Sequence, residues 1–196
     1  MAESPETSPA LIAALRDVLL WFEAARVRGV VIGGVAVSLL ARPRATRDVD
    51  VLALVQERRW PRFLEAARPF GIRPRIGDAL DFARKSRVLL LVHEPTGVPL
   101  DCSLGLLPFE KRTVDRRTRR RLGSLVVPLP RPEDLLVMKA VAGRARDHAD
   151  IESLVVAFPR LRLAGVRKAV AAFAEVLDAP GILEEFEATV GRARKA

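Results

Sequence analysis

Residues 30–55, VVIGGVAVSLLARPRATRDVDVLALV, join an apolar run, a glycine pair, a small apolar segment, three arginines and two aspartates with one valine between them. Side chains on a strand alternate, so Asp48 and Asp50 share one face while Val49 and Val51 point to the other. Two neighbouring carboxylates near a core repel each other and are costly to bury unless a proton or a cation lies between them. A divalent ion resolves this, since Mg²⁺ favours one or two carboxylates plus substrate phosphates, and two-ion sites clamp attacking and leaving oxygens. Asp101, in VPLDCSL, sits between Leu100 and Cys102, which face the other way, so an adjacent strand can bring it beside the pair as a third carboxylate. Taken alone, Asp-x-Asp also fits an exposed strand edge or turn.

Gly33 and Gly34 precede a helix, where backbone can approach a phosphate and helix N–H groups point at the anion. A tight strand-to-helix turn without ligand explains the same pair. Working outward, residues 11–28 show helical periodicity, with Leu11, Leu15, Val18, Leu19 and Phe22 on one face and Ser8-Pro9 at the start. Residues 30–32 read as a short strand, 35–41 as a short buried helix broken at Pro43, and 49–55 as a buried strand. Residues 56–68 look like one amphipathic helix ended by Pro69 and Gly71. IRPRIG reads as a short strand, and 78–86 fits either state. Residues 88–93 and 98–103, separated by EPTG, read as a β-hairpin. Residues 124–128 are extended. Beyond Pro132 the pattern turns helical: 132–142, 145–157, 161–178 and 181–194. This order predicts an α+β fold: a core over residues 1–128 and a helical C-terminal subdomain, 129–196, packed on it.

With 196 residues the chain fits one domain or a core with an appendage. The N-terminal MAESPETSP lacks a basic segment leading into an apolar one, and no apolar run reaches membrane-spanning length, so a cytoplasmic protein with no membrane partner is expected. A lone Cys102 excludes an internal disulfide, and with only His93 and His148 a zinc centre is a poor fit, which leaves oxygen ligands for any metal. The net charge of +9 suits a polyanionic partner such as RNA. Five lysines against 28 arginines equally suit a bias in genomic base composition. Residues 111–121, KRTVDRRTRRR from Lys111 to Arg121, hold seven basic residues against Asp115, either as a phosphate-contacting segment or as a solvated face.

The glycine pair, thirteen residues from Val35 to Arg47, then Asp-Val-Asp and a later aspartate on a neighbouring strand resemble the signature of the DNA polymerase β-like nucleotidyltransferase superfamily. IGGVAVSLLARPRATRDVDVL looks especially like the minimal and AbiEii-type bacterial nucleotidyltransferases, several of which are toxins of toxin–antitoxin or phage-defence systems. Residues 129–154, LPRPEDLLVMKAVAGRARDHADIESL, are similar to the segment that follows the core in those enzymes, with a lysine on one helix before an Arg-x-x-Asp-x-x-Asp-like turn. Many superfamily members carry Gly-Ser where this chain has Gly33-Gly34, so a phosphate-binding serine is missing there; Ser38 lies one helical turn further on.

The resemblance implies the nucleotidyltransferase fold, a mixed β-sheet flanked by helices. It implies that Asp48, Asp50 and Asp101 hold Mg²⁺ or Mn²⁺, two ions with a nucleoside triphosphate, and that Asp101 helps deprotonate an acceptor hydroxyl. Gly33, Gly34, Ser38 and Arg47 are then nucleotide-binding candidates, with Lys139 a partner of the triphosphate or leaving group. Arg47 can alternatively pair with an aspartate, and Lys139 can be a surface lysine. Asp147 suits helix capping as well as catalysis, and His148 suits local hydrogen bonding. Transfer to RNA, such as a tRNA 3′ end bound by residues 111–121, with a cognate antitoxin as partner, is the leading expectation. Adenylylation of an antibiotic or a protein, or a non-catalytic nucleotide- or RNA-binding role on the same fold, are the alternatives.

Overall fold

The computed structural model describes residues 8–195, so nearly all of the N-terminal MAESPETSP stretch lies outside the described residues. The elements in chain order are α1 (Pro9–Ala24), β1 (Gly29–Ile32), α2 (Gly33–Leu40), β2 (Val49–Ala53), α3 (Trp60–Glu65), β3 (Ile72–Pro74), α4 (Ala79–Ser86), β4 (Val88–His93), β5 (Val98–Leu104), α5 (Pro108–Asp115), β6 (Thr118–Leu122), β7 (Leu125–Leu129), α6 (Pro132–Ala142), α7 (Ala145–Ala157), α8 (Leu163–Val176) and α9 (Gly181–Ala193). This is an α+β architecture. The chain divides into two compact units: Met1–Ala36 with Arg44–Leu129, and Val37–Pro43 with Pro130–Ala196. The division falls inside α2, so the short segment after Ala36 groups with the C-terminal helices.

The first unit is built on a five-stranded mixed sheet in the order β1-β2-β5-β4-β3. β2 and β5 run parallel, and the other neighbours run antiparallel. Burial along β5 alternates strictly, with Val98, Leu100, Cys102 and Leu104 buried and Pro99, Asp101 and Ser103 half-exposed. That alternation sends Asp101 to the face opposite the thiol, and burial pushes the Cys102 thiol well above its ordinary pKa. α1 packs against β2 and β5. Its Trp21 is fully buried, stacks on Phe63 with ring centroids 4.2 Å apart, and donates its indole N–H to the Phe63 carbonyl at 2.9 Å.

Residues 56–68 are not one helix. Two short 3₁₀ turns, Glu57–Arg59 and Arg68–Phe70, flank α3, because Pro61 and Pro69 each open a new turn and lack the N–H that would continue the preceding one. Residues 78–86 resolve as helix. The basic run 111–121 is split: Lys111, Arg112 and Asp115 lie on α5, and Arg119, Arg120 and Arg121 lie on β6, which pairs antiparallel with β7 in a separate two-stranded ribbon. Glu110 closes the start of α5 by accepting the Leu106 and Leu107 backbone N–H groups at 2.7 and 2.8 Å.

The second unit is a bundle in which α6 packs on α7 and α8, and α9 packs on α7 and α8. Its core is formed by Leu135, Leu136, Ile151, Leu154, Val166, Val170, Phe186 and Val190. Within the same unit the Arg42 backbone N–H donates to the Ser153 hydroxyl at 3.0 Å. No helix of the described residues is long and apolar enough to cross a membrane.

Candidate active site

β1 ends where β2 begins, and Ile32 is the antiparallel partner of Asp50. Gly33 follows at once with φ +63, a left-handed backbone that disfavours any residue with a Cβ. A Cβ built on Gly33 would lie 1.8 Å from Asp50 Oδ2, so the backbone is closed directly onto that carboxylate. A Cβ on Gly34 would lie 2.7 Å from Thr46 Oγ1 and 3.0 Å from the Arg44 guanidinium. The glycine pair therefore has a local cause: the chain returning from α2 and the Asp50 side chain both press onto it.

Across the sheet, Asp50 of β2 and Asp101 of β5 are direct partners in parallel register, which puts both carboxylates on one face of adjacent strands. Asp48 stands just before β2, and its Oδ1 accepts a hydrogen bond from the Thr46 hydroxyl at 2.9 Å. Burial raises the Asp101 pKa above the ordinary carboxylate value; the neighbouring Arg75 guanidinium pulls it down, and the Asp48 charge adds to the rise. Gly33, Gly34, Asp48, Asp50 and Asp101 thus come together within the sheet unit. Arg47 is exposed and makes no ion pair among the described residues, so the alternative pairing of this arginine with an aspartate is not formed.

Arg75 is a member of the site that sequence patterning does not single out. It follows β3, donates its backbone N–H to the Leu90 carbonyl at 2.9 Å and lays its guanidinium on Asp101. The only sequence signal is the lone arginine after Pro74 in IRPRIG, and its meaning depends on β3 pairing with β4 and β4 with β5. Among the described residues no three His, Cys, Asp or Glu side chains form a ready cation cage. The donor set nevertheless fits a hard divalent ion, because it is all oxygen and one carboxylate already holds a cationic group, the Arg75 guanidinium.

Lys139 and Ser38 lie in the helical unit. Lys139 is buried, and its Nζ is 2.8 Å from Asp147 Oδ1 and 2.8 Å from Asp150 Oδ2, themselves buried. It is therefore not a surface lysine. Asp147 also accepts from the Arg144 backbone N–H at 3.2 Å and from Arg144 Nε at 2.7 Å, which makes it the cap of α7. Burial drives the Asp147 pKa up, but the hydrogen bonds from Arg144 and Lys139 outweigh it and hold the carboxyl below its ordinary value. The His148 Nδ1 lies 3.1 Å from the Thr189 hydroxyl on α9, so its hydrogen bond joins two helices rather than closing locally.

The fold and its carboxylates together mark a nucleotidyltransferase, a class whose chemistry asks the protein mainly for position and charge. The family described as "Nucleotidyl transferase AbiEii toxin, Type IV TA system" matches residues 14–189, and the chain belongs to that family. No individually curated sequence matches the chain. Among similar solved structures is an antigenic nucleotidyltransferase-like protein from Paracoccidioides brasiliensis, with 15% identity, a TM-score of 0.54, and coverage of 90% of this chain and 92% of that one. The antibiotic-resistance factor ANT(2'')-Ia matches with 15% identity and a TM-score of 0.59 over 85% of this chain and 92% of its own. The lincosamide antibiotic adenylyltransferase LnuA matches with 18% identity and a TM-score of 0.51 over 72% and 94%. At these identities the structures share the fold.

Proposed function

We propose that the protein transfers a nucleoside monophosphate from a nucleoside triphosphate to a hydroxyl of RNA, with a tRNA 3′ end as the leading acceptor. The observation that carries this reading is the in-register pair Asp50 and Asp101 with the Gly33 backbone closed against it. Asp48, Asp50 and Asp101 would hold one or two Mg²⁺ or Mn²⁺ ions, which when bound neutralise triphosphate charge and polarise the attacked phosphorus. Asp101, on the inner strand, accepts the acceptor's hydroxyl proton as that oxygen bonds to the α-phosphorus. The bond from the α-phosphorus to the bridging oxygen breaks, and pyrophosphate leaves. Backbone N–H groups at the start of α2 bind a phosphate, and exposed Arg47 supplies a second phosphate ligand from the loop before β2. This chemistry draws on sheet-unit residues alone. Lys139 and Ser38 are assigned to nucleotide binding from the family resemblance only.

RNA as acceptor is favoured by the net charge of +9 and by the exposed Arg119, Arg120 and Arg121 of β6. The basic segment 111–121 contains no aromatic residue, so binding of the RNA backbone rather than base stacking is assigned to it. As in its family's description, we take the protein to be the toxin of a toxin–antitoxin pair, working in the cytoplasm with a cognate antitoxin. The test is incubation with each α-³²P-labelled nucleoside triphosphate, Mg²⁺ and total RNA, comparing wild type with Asp50→Ala. Label on RNA that disappears in Asp50→Ala, together with growth arrest on expression of wild type alone, is expected. Label on an aminoglycoside, a lincosamide or a protein instead of RNA would move the assignment to adenylylation of that acceptor, and no transfer of any kind would leave a non-catalytic binding protein.

A further inference from the structure

Four arginines line one cleft of about 680 Å³ in the sheet unit: Arg26 just beyond α1, Arg58 and Arg59 in the 3₁₀ turn after β2, and Arg62 on α3. Ala24, Val27, Phe63 and Ala66 supply apolar wall, and no described carboxylate lines the cleft. Like charges gathered in one concavity repel and raise its potential unless an anion is supplied. The guanidiniums are lightly held from within. Arg58 reaches Gln56 Oε1 at 3.1 Å and Arg59 reaches the Ala25 carbonyl at 3.4 Å, while the Arg26 and Arg62 side chains have no partner among the described residues.

Arg26 adds a second observation. It has φ 52, the left-handed position just past a helix end where glycine is the inexpensive choice. An L-residue there costs roughly 1 kcal/mol, so replacing Arg26 by glycine removes the guanidinium from the cleft wall and relieves strain together.

The position is remote from the carboxylates. Val27 and Arg28 precede β1, and Leu54 and Val55 follow β2, so the cleft lies at the Gly29/Ala53 end of the antiparallel pair, while Ile32 and Asp50 form its other end. The three strand steps from Asp50 to Ala53 alone span about 10 Å. Further arginines lie elsewhere in the same unit. Arg28, adjacent to it in sequence, pairs with Asp115 at the end of α5 at 2.5 Å, and Arg116, Arg117 and the exposed arginines of β6 follow. Four arginines in one concavity, in a chain with a net charge of +9, suit a polyanion that presents several phosphates.

We propose that the arginine cleft binds the phosphate backbone of the RNA acceptor, away from the hydroxyl that reacts. This rests on the RNA-acceptor reading above. The probe is fluorescein-labelled bulk tRNA, titrated by anisotropy with Mg²⁺ and without nucleoside triphosphate across a salt series. Arg58→Ala/Arg62→Ala is expected to weaken tRNA binding about tenfold or more and to flatten the dependence of log K on log salt by roughly one unit for each phosphate no longer neutralised. Arg26→Gly should weaken binding while melting no lower than wild type, because glycine relieves the left-handed strain, and this separates recognition from folding. In the transfer assay both variants should raise KM for tRNA with kcat unchanged.

Unchanged affinity and salt slope in the cleft variants, with binding abolished in Arg119→Ala/Arg121→Ala, would overturn the cleft site while leaving RNA as acceptor. Cleft variants that lose inorganic tripolyphosphate binding but keep tRNA binding would overturn it in favour of a small-anion site. Absence of salt-dependent tRNA binding in wild type, together with no labelled RNA, would overturn the acceptor reading itself.

Discussion

At the scale of single residues, the site is governed by what cannot be added to it. Gly33→Ala would set a methyl group 1.8 Å from Asp50 Oδ2 at a positive φ, so the carboxylate must move. The expected outcome is loss of nucleotidyl transfer beyond about a hundredfold with a stability cost of roughly 1–2 kcal/mol, read by single-turnover labelling and thermal melting. Arg75 acts in the opposite sense, since its guanidinium occupies part of the Asp101 carboxylate that a bound cation would use under the proposed function. Arg75→Ala should shift stability by less than about 1 kcal/mol, because the pair is substantially exposed, and should lower the Mg²⁺ concentration giving half-maximal transfer. An unchanged Mg²⁺ requirement would mean the ion pair does not compete. The common face of Asp50 and Asp101 was legible in the sequence because strand alternation is a local property, whereas Asp48, expected on the same strand, stands just before β2. Arg75 was not legible, because its partner lies 26 positions away and is reached through the pairing of three strands.

At the scale of elements, the helical unit is pinned by a buried charge cluster. Lys139 on α6 meets Asp147 and Asp150 on α7, and Arg144 supplies a second cation from the rim. Removing one member of a buried pair leaves a charge uncompensated, typically at about 3–5 kcal/mol. Asp147→Asn retains part of the hydrogen bonding, so roughly 2–3 kcal/mol is expected at pH 7 by urea unfolding. The folded Asp147 pKa lies below the reference of 3.8, so its charge contributes stability above that value, and the contribution is lost as pH falls through the folded pKa. The wild-type advantage over Asp147→Asn should therefore shrink below about pH 4; a constant gap would show that packing rather than charge holds the cluster. The boundaries of α6 and α7 were readable from proline and periodicity, but the burial of Lys139 was not, since a charged residue in a helix gives no sign of which neighbours enclose it. Residues 56–68 misled for the converse reason: amphipathic spacing survived while Pro61 and Pro69 had already divided the helix.

At the scale of the whole molecule, the division between units falls at Leu129/Pro130, beside the boundary expected from the sequence, with one segment exchanged. Val37–Pro43 belongs with Pro130–Ala196, and Val37 and Leu40 are buried. A chain cut after Leu129 would keep that segment without the helices it clusters with. Such a fragment is expected to bind a hydrophobic dye and aggregate, and clean monomeric behaviour in gel filtration would contradict this. The α+β class and the order of elements were legible because they follow from hydrophobic period and turn residues. The regrouping of 37–43 was not, because it is decided by packing between segments far apart in the chain.

The preference for arginine over lysine also leaves the chain only five lysine amines. Of its five lysines, Lys85, Lys111, Lys168 and Lys195 are exposed, whereas the Lys139 amine is enclosed between two carboxylates. An acylating reagent should therefore modify four positions at once and the fifth only when α6 and α7 part. The lag at Lys139 is a clock for that opening, readable by mass spectrometry on the unaltered protein and sensitive to whatever ligand or partner holds the helices shut.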